Sequence, residues 1–189
     1  MRLLILICAV ALGCSAPVPE SASKADDIVI VRSGFTIEAP ADSTWSQHSD
    51  GAQVSFEKRH GPISATLVAQ SFRVDSFPDN QAFLRFAEAR QEAVVKELEM
   101  LSEHYNRTRL GEATCLQYDG VYRDERYAAS ESEYLIIKGY TCRHPTIAGQ
   151  ATQLEFTQRS ASRTPPRTED MLATADAFFS SVVFTSSGT

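Results

Sequence analysis

The sequence contains no apolar run long enough to cross a bilayer. Its longest, Leu3 to Leu12, is about ten residues, whereas a helix needs roughly twenty to span a hydrocarbon core of about 30 Å. Positive charge is also in short supply. Lys and Arg number 18 against 24 Asp and Glu, for a formal net charge of −6. The basic residues are scattered, and Arg107 and Arg109 lie close together, at alternate positions. Nucleic acid, whose phosphates demand clustered Lys and Arg, is therefore not expected as a partner. Local catalytic signatures are missing as well. There is no G-x-S-x-G elbow, phosphate loop or G-x-G-x-x-G run. The histidines, His48, His60, His104 and His144, form no H-x-x-x-H or H-E-x-x-H pair. Local pattern thus points to no catalytic residue, metal or cofactor. It leaves open a site assembled from distant residues. Cysteine is sparse: Cys8, Cys14, Cys115 and Cys142, with no C-x-x-C spacing.

What is present begins with a leader. Arg2 supplies one early positive charge, and the short apolar run has the length of a secretory h-region. It ends in Ala11-Leu12-Gly13-Cys14. This tetrapeptide resembles the lipobox of bacterial lipoproteins, in which a small residue precedes an obligatory cysteine. Gly13 and Cys14 match the tightest positions. Ala11 and Leu12 depart from the usual order of a large aliphatic residue followed by a small one. The resemblance implies cleavage between Gly13 and Cys14, a diacylglycerol thioether on Cys14 and acylation of the new amine. More than one chain is what makes such anchoring stable. The alternative is an ordinary secretory signal cut near Gly13 or Ala16. Residues 15–27, SAPVPESASKADD, lack apolar periodicity and read as a flexible tether. By analogy with enteric bacteria, Ser15 in place of Asp after the anchor permits export to the outer membrane, facing the periplasm.

Cys8 leaves with the leader, so Cys115 and Cys142 remain for the folded domain. An exported protein meets oxidising conditions. The segments ATCLQYDGVYRD and SEYLIIKGYTCRH are rich in β-formers and flank a polar stretch, Glu125 to Ser132, able to turn. Pairing them with Cys115 opposite Cys142 sets Asp119 opposite Lys138 and Val121 opposite Ile136. Leu116, Tyr118, Tyr122, Leu135 and Ile137 then share the other face. A structural disulfide follows from that register, with a pair of free or reactive thiols as the alternative.

Other strands are expected at GFTIEAP, QVSFEKRH, PISATLVAQSF and QATQLEFTQRS, where apolar and polar residues alternate. Trp45, in the polar segment ADSTWSQHSDG, is expected to anchor that segment on the core. A long helix is expected across SFPDNQAFLRFAEARQEAVVKELEML, capped by Ser76 or Asp79, with Phe83, Ala87, Val94, Leu98 and Leu101 on its apolar side. EHYNRTRL reads as a short strand before a Gly111 turn. The segment TPPRTEDMLATADAFFSSVVF suggests a closing helix capped by Thr164 or Thr168. The expected fold class is α+β: an antiparallel sheet with two amphipathic helices packed on it. The expected organisation is a signal peptide over 1–13, lipidated cysteine and tether over 14–27, a single domain over 28–184 and a loose tail over 185–189.

The order FTIEAPADSTW, VSFEK, a long helix, the meander around YDGVY and YLIIKGY, and ADAFFSSVVF resembles the PsbP-like fold, an α/β/α sandwich. That resemblance covers about Ile28 to Phe184 and implies an accessory or partner-binding domain rather than an enzyme. It transfers no site residues, because its motifs are patterns of hydrophobicity. Three functions are weighed. The first is a lipid-tethered, non-catalytic envelope protein that docks another envelope protein, with Tyr118, Tyr122, Tyr134 and Tyr140 serving either as sheet core or as an interface. The second is a small-ligand carrier or sensor with a cavity between sheet and helix. The third is a hydrolase with a non-local site, which needs two or three convergent polar groups in a cleft, such as a histidine beside a carboxylate. Glu131 and Glu133, in the loop RDERYAASESEY, could hold a cation only with ligands from elsewhere. The Asn106-Arg107-Thr108 sequon is one that a bacterial chain rarely uses.

Overall fold

Period-two alternation builds most of this molecule. The computed structural model describes residues 29–124, 133–160 and 169–186. The leader, Cys14 and the tether therefore lie outside the described residues, as do loop residues 125–132 and the caps expected at Thr164 and Thr168. The strands are β1 (Val29–Arg32), β2 (Phe35–Glu38), β3 (Ser46–Asp50), β4 (Gln53–His60) and β5 (Ile63–Arg73), followed by α1 (Asn80–Val95). Next come β6 (Glu99–Leu110), β7 (Ala113–Asp124), β8 (Glu133–Arg143), β9 (Gln150–Ser160), α2 (Glu169–Ser180) and β10 (Val183–Phe184).

Seven strands form one antiparallel sheet in the order β3-β4-β5-β9-β8-β7-β6. Three short ones form a second sheet in the order β1-β2-β10. Alternation decides which residues face which layer. On β9, Leu154 and Phe156 join Val54, Phe56, Leu67 and Ala69 in a core closed by Phe35 and Ile37 of the small sheet and Met171, Ala175, Phe178 and Phe179 of α2. The opposite parity on β7 and β8 turns Leu116, Tyr118, Tyr122, Leu135 and Ile137 toward α1, where they meet Phe83, Leu84, Ala87 and Val95. Each half of the large sheet is thus covered on a different face.

The α+β expectation, a sheet dressed by two helices in an α/β/α sandwich, is overturned. About 56% of the described residues are in strands, and the ten strands and two sheets make a β-rich fold with two helices. Three elements account for the difference. The small sheet went unread because β1 and β10 are only 4 and 2 residues long. Strand β3 is exposed at every position and so carries no alternation. Strand β6 runs for 12 residues rather than a short segment. It takes Leu101 out of the expected helix and leaves that side chain 46% exposed.

Helix α1 stops at Val95, and its inward face is Phe83, Leu84, Ala87, Gln91 and Val95, while Val94 is exposed. The cap is Asp79, whose carboxylate accepts from the Ala82 N–H at 2.7 Å. Trp45 is buried, with Lys58 above its ring and paired to Asp42. No helix among the described residues is long and apolar enough to cross a membrane.

The expected β7–β8 register is the observed one: Cys115 faces Cys142, Asp119 faces Lys138 and Val121 faces Ile136. The cross-strand ion pair does not form. Lys138 reaches over to Asp176 of α2 at 2.5 Å, and Asp119 leans to His104 at 3.6 Å.

Candidate functional site

Two clefts of the molecule meet at one loop, residues 144–149, between β8 and β9. Pro145 and Gly149 shape it, the latter with φ of +72°. His144 holds it in place. Although histidine next to a strand end suggests a solvated ring, this one is 4% exposed. Its Nδ1 accepts the backbone N–H of Ile147 at 2.9 Å and of Thr146 at 3.2 Å. That leaves the proton on Nε2, which donates to the Gly34 carbonyl at 2.8 Å. The neutral ring therefore satisfies every partner, and both nitrogens are committed to backbone.

Gly34 is the far side of this clamp. It turns the β1–β2 hairpin with φ of +87°, a region that side chains with a Cβ rarely enter. Its carbonyl also accepts from the Thr185 N–H at 2.9 Å. The neighbouring Ser33 carbonyl accepts from Ser71 Oγ at 2.5 Å and Gln150 Nε2 at 2.7 Å. The small sheet is thereby tied to the end of the large one. Replacing His144 with Ala strands two backbone N–H groups and removes an edge-on contact with Phe184. Urea unfolding is expected to report a loss of about 2–4 kcal/mol with an unchanged m-value.

Two clefts flank the loop. The larger, of about 610 Å³, lies beside Ser33, Ser71, Phe72, Val74, Ile147 and Gln150. It falls within the size range of small-molecule sites, but it opens at the end of the sheet rather than between sheet and helix. The smaller, of about 290 Å³, lies on the other side among Asn80, Arg109, Glu112, Thr114, Arg143 and Thr146. Neither cleft was legible in the sequence. The loop HPTIAG reads there only as a connection, and nothing local pairs Gly34 with a histidine 110 positions away.

The residues singled out from sequence are dispersed. Cys115 and Cys142 are joined in a disulfide, with both residues 0% exposed between Ala113, Leu110 and Tyr140. His48 and His60 are exposed on β3 and β4. His104 and Asp119 are the one histidine–carboxylate pair among the described residues, but both side chains are more than half exposed, outside either cleft. Glu133 pairs with Arg159 at 3.2 Å, while Glu131 lies outside the described residues. No group of three His, Cys, Asp or Glu among the described residues is placed to hold a metal.

Tyr118 and Tyr122 are core, and Tyr134 and Tyr140 are half-buried. Burial and the Glu155 carboxylate hold the Tyr118 phenol well above its ordinary ionisation range. Its hydroxyl donates to Glu155 Oε2 at 2.9 Å and accepts from Gln153 Nε2 at 3.3 Å.

No protein-family model and no curated protein sequence matches this chain. Among solved structures, it is similar to LpqN, which is involved in cell envelope biogenesis of Mycobacterium tuberculosis. The TM-score is 0.54 at 14% identity, over 84% of this chain and 90% of that one. At that identity the likeness establishes a shared fold. The lipid transfer and protein localization domain of human StarD13 aligns at a TM-score of 0.29 and 9% identity, over 72% of this chain and 87% of that one. That score is too low to bear on either fold or function.

Proposed function

We propose that this protein is an accessory domain of a bacterial cell envelope, anchored through lipid on Cys14 and acting by docking another envelope protein rather than by catalysis. One observation carries the reading: a leader ending in Gly13-Cys14 precedes a domain whose fold is shared, along most of both chains, with a protein of cell envelope biogenesis. The outer edge supports docking. Strand β6 borders the large sheet with no strand paired to its outer side among the described residues, and Met100 and Leu101 at its start are 61% and 46% exposed. Unpaired strand edges of this kind recruit partner strands. Ser15 after the anchor supports an outer-membrane address facing the periplasm.

The test has two arms. Intact mass of protein extracted from membranes should correspond to a chain starting at Cys14 and carrying a thioether-linked diacylglycerol and an amide-linked acyl group. Cross-linking in cells should then return a reproducible envelope partner through β6. A soluble mature chain with an unmodified first cysteine would sink the anchor, and repeated cross-linking without an envelope partner would sink the docking role.

The cleft of about 610 Å³ favours a second reading, a small-ligand carrier. Native mass spectrometry separates the two: a carrier retains a small molecule that a docking domain lacks.

A further inference from the structure

We propose that the smaller cleft is a binding site for a phosphate group. Strand register carries this inference. Arg109 of β6 pairs with Thr114 of β7, and Thr114 pairs with Arg143 of β8. Directly paired residues project from the same face of a sheet. A hydroxyl therefore stands between two guanidinium groups in a single row, roughly 10 Å long at the usual strand spacing. All three residues line the cleft of about 290 Å³. The same row passes unnoticed in the sequence, where Arg109 and Arg143 are far apart and the basic residues look dispersed.

The guanidinium groups are held in place without being neutralised. Arg109 Nη2 donates to the Glu112 carbonyl at 2.8 Å. Arg143 Nη1 donates to Asn80 Oδ1 at 3.1 Å, and its Nη2 to the Phe77 carbonyl at 3.2 Å. Every one of these acceptors is uncharged. Among the described residues, no carboxylate forms an ion pair with either arginine, whereas Lys58, Arg123, Lys138 and Arg159 each have one. The Thr114 hydroxyl has no hydrogen-bond partner among the described residues.

Glu112 is the one acidic residue lining the cleft. With the neutral His144 ring behind the loop, the lining carries a net charge of +1: two arginines less one glutamate. Forks already oriented by neutral acceptors lose little freedom when an anion arrives. A tetrahedral oxyanion has enough acceptor oxygens to reach both forks and the Thr114 hydroxyl together. A planar carboxylate, with two oxygens, satisfies a single fork.

This inference goes beyond the docking reading and does not depend on the anchor. Free inorganic phosphate and a phosphate ester of a lipid headgroup share the chemistry. The test is an amide NMR titration of the full-length mature protein in non-ionic detergent and phosphate-free buffer. The probes are inorganic phosphate, dimethyl phosphate and acetate. Saturable shifts are expected at Asn80, Thr114 and Thr146, with either phosphate species binding at least tenfold more tightly than acetate. Arg109→Gln is the chosen variant because Arg109 is exposed on the edge strand, whereas Arg143 also secures the start of α1. It should weaken binding at least fivefold without moving the thermal midpoint. Tighter binding of inorganic phosphate assigns the site to the free ion, and tighter binding of dimethyl phosphate assigns it to an ester. Linear, unsaturable shifts, acetate binding as tightly as phosphate, or an Arg109→Gln protein that binds like the parent would each overturn the proposal.

Discussion

Gly139→Ala is expected to cost about 2–6 kcal/mol and to leave little folded protein at 37 °C. Gly139 sits in β8 between Tyr118 of β7 and Glu155 of β9. A Cβ built there would lie 2.3 Å from the Leu154 carbonyl oxygen and 2.8 Å from the Tyr118 hydroxyl. The first contact is with backbone in the middle of the sheet, so no side-chain rotation relieves it. Strands β8 and β9 must part, or the Tyr118 ring must leave its seat. Overpacking of a filled core costs roughly 1–3 kcal/mol. Loss of the Tyr118 bonds to Glu155 and Gln153 adds about 1–3 kcal/mol.

Urea denaturation of the purified variant measures the sum. Combining Gly139→Ala with Tyr118→Phe distinguishes the two contributions. The carbonyl contact persists in the double variant, so it should stay at least as unstable as the glycine variant alone. A Gly139→Ala protein within 1 kcal/mol of the parent would show that the strands have slack at this point.

Replacing both Cys115 and Cys142 with alanine is expected to cost about 3–4 kcal/mol. The two positions are 27 residues apart in sequence, and closing a loop of that length in the unfolded chain removes about that much conformational freedom. Both cysteines are 0% exposed. Reductant must therefore wait for the strands to open, and the reduction rate under native conditions should follow the global unfolding rate. A double variant with an unchanged denaturation midpoint, or a disulfide reduced as fast in the folded protein as in urea, would contradict this account. The same observation weighs against a redox role, because an exchanging thiolate needs access.

Where side chains alternate on a long strand, the fold was legible. QVSFEKRH, PISATLVAQSF and QATQLEFTQRS are β4, β5 and β9 almost to the residue. The register of β7 and β8 followed from a single assumption about Cys115 and Cys142, because a slip of one residue would have turned Tyr118 and Ile137 outward. The cap at Asp79 was legible for a similar reason: its oxygen acts within one helical turn.

What escaped had no local signal. Gln91 occupies the inward face of α1 at an apolar position, and so the helix period pointed instead to Val94, Leu98 and Leu101. Strand β3 is paired on one side and exposed throughout, which makes its sequence that of a loop. The short β1 and β10 become strands only because β2 lies between them.

The sequence alone therefore determined the half-buried strands, the Cys115–Cys142 pairing and the expectation of an anchored leader, since each depends on neighbours or on one repeating period. Tertiary structure decided that the molecule is β-rich, that His144 clamps Gly34, and that Arg109, Thr114 and Arg143 stand in one row. These are contacts between distant segments. Hydrogen bonding across strands brings them together, and no period along the chain encodes which strands will be adjacent.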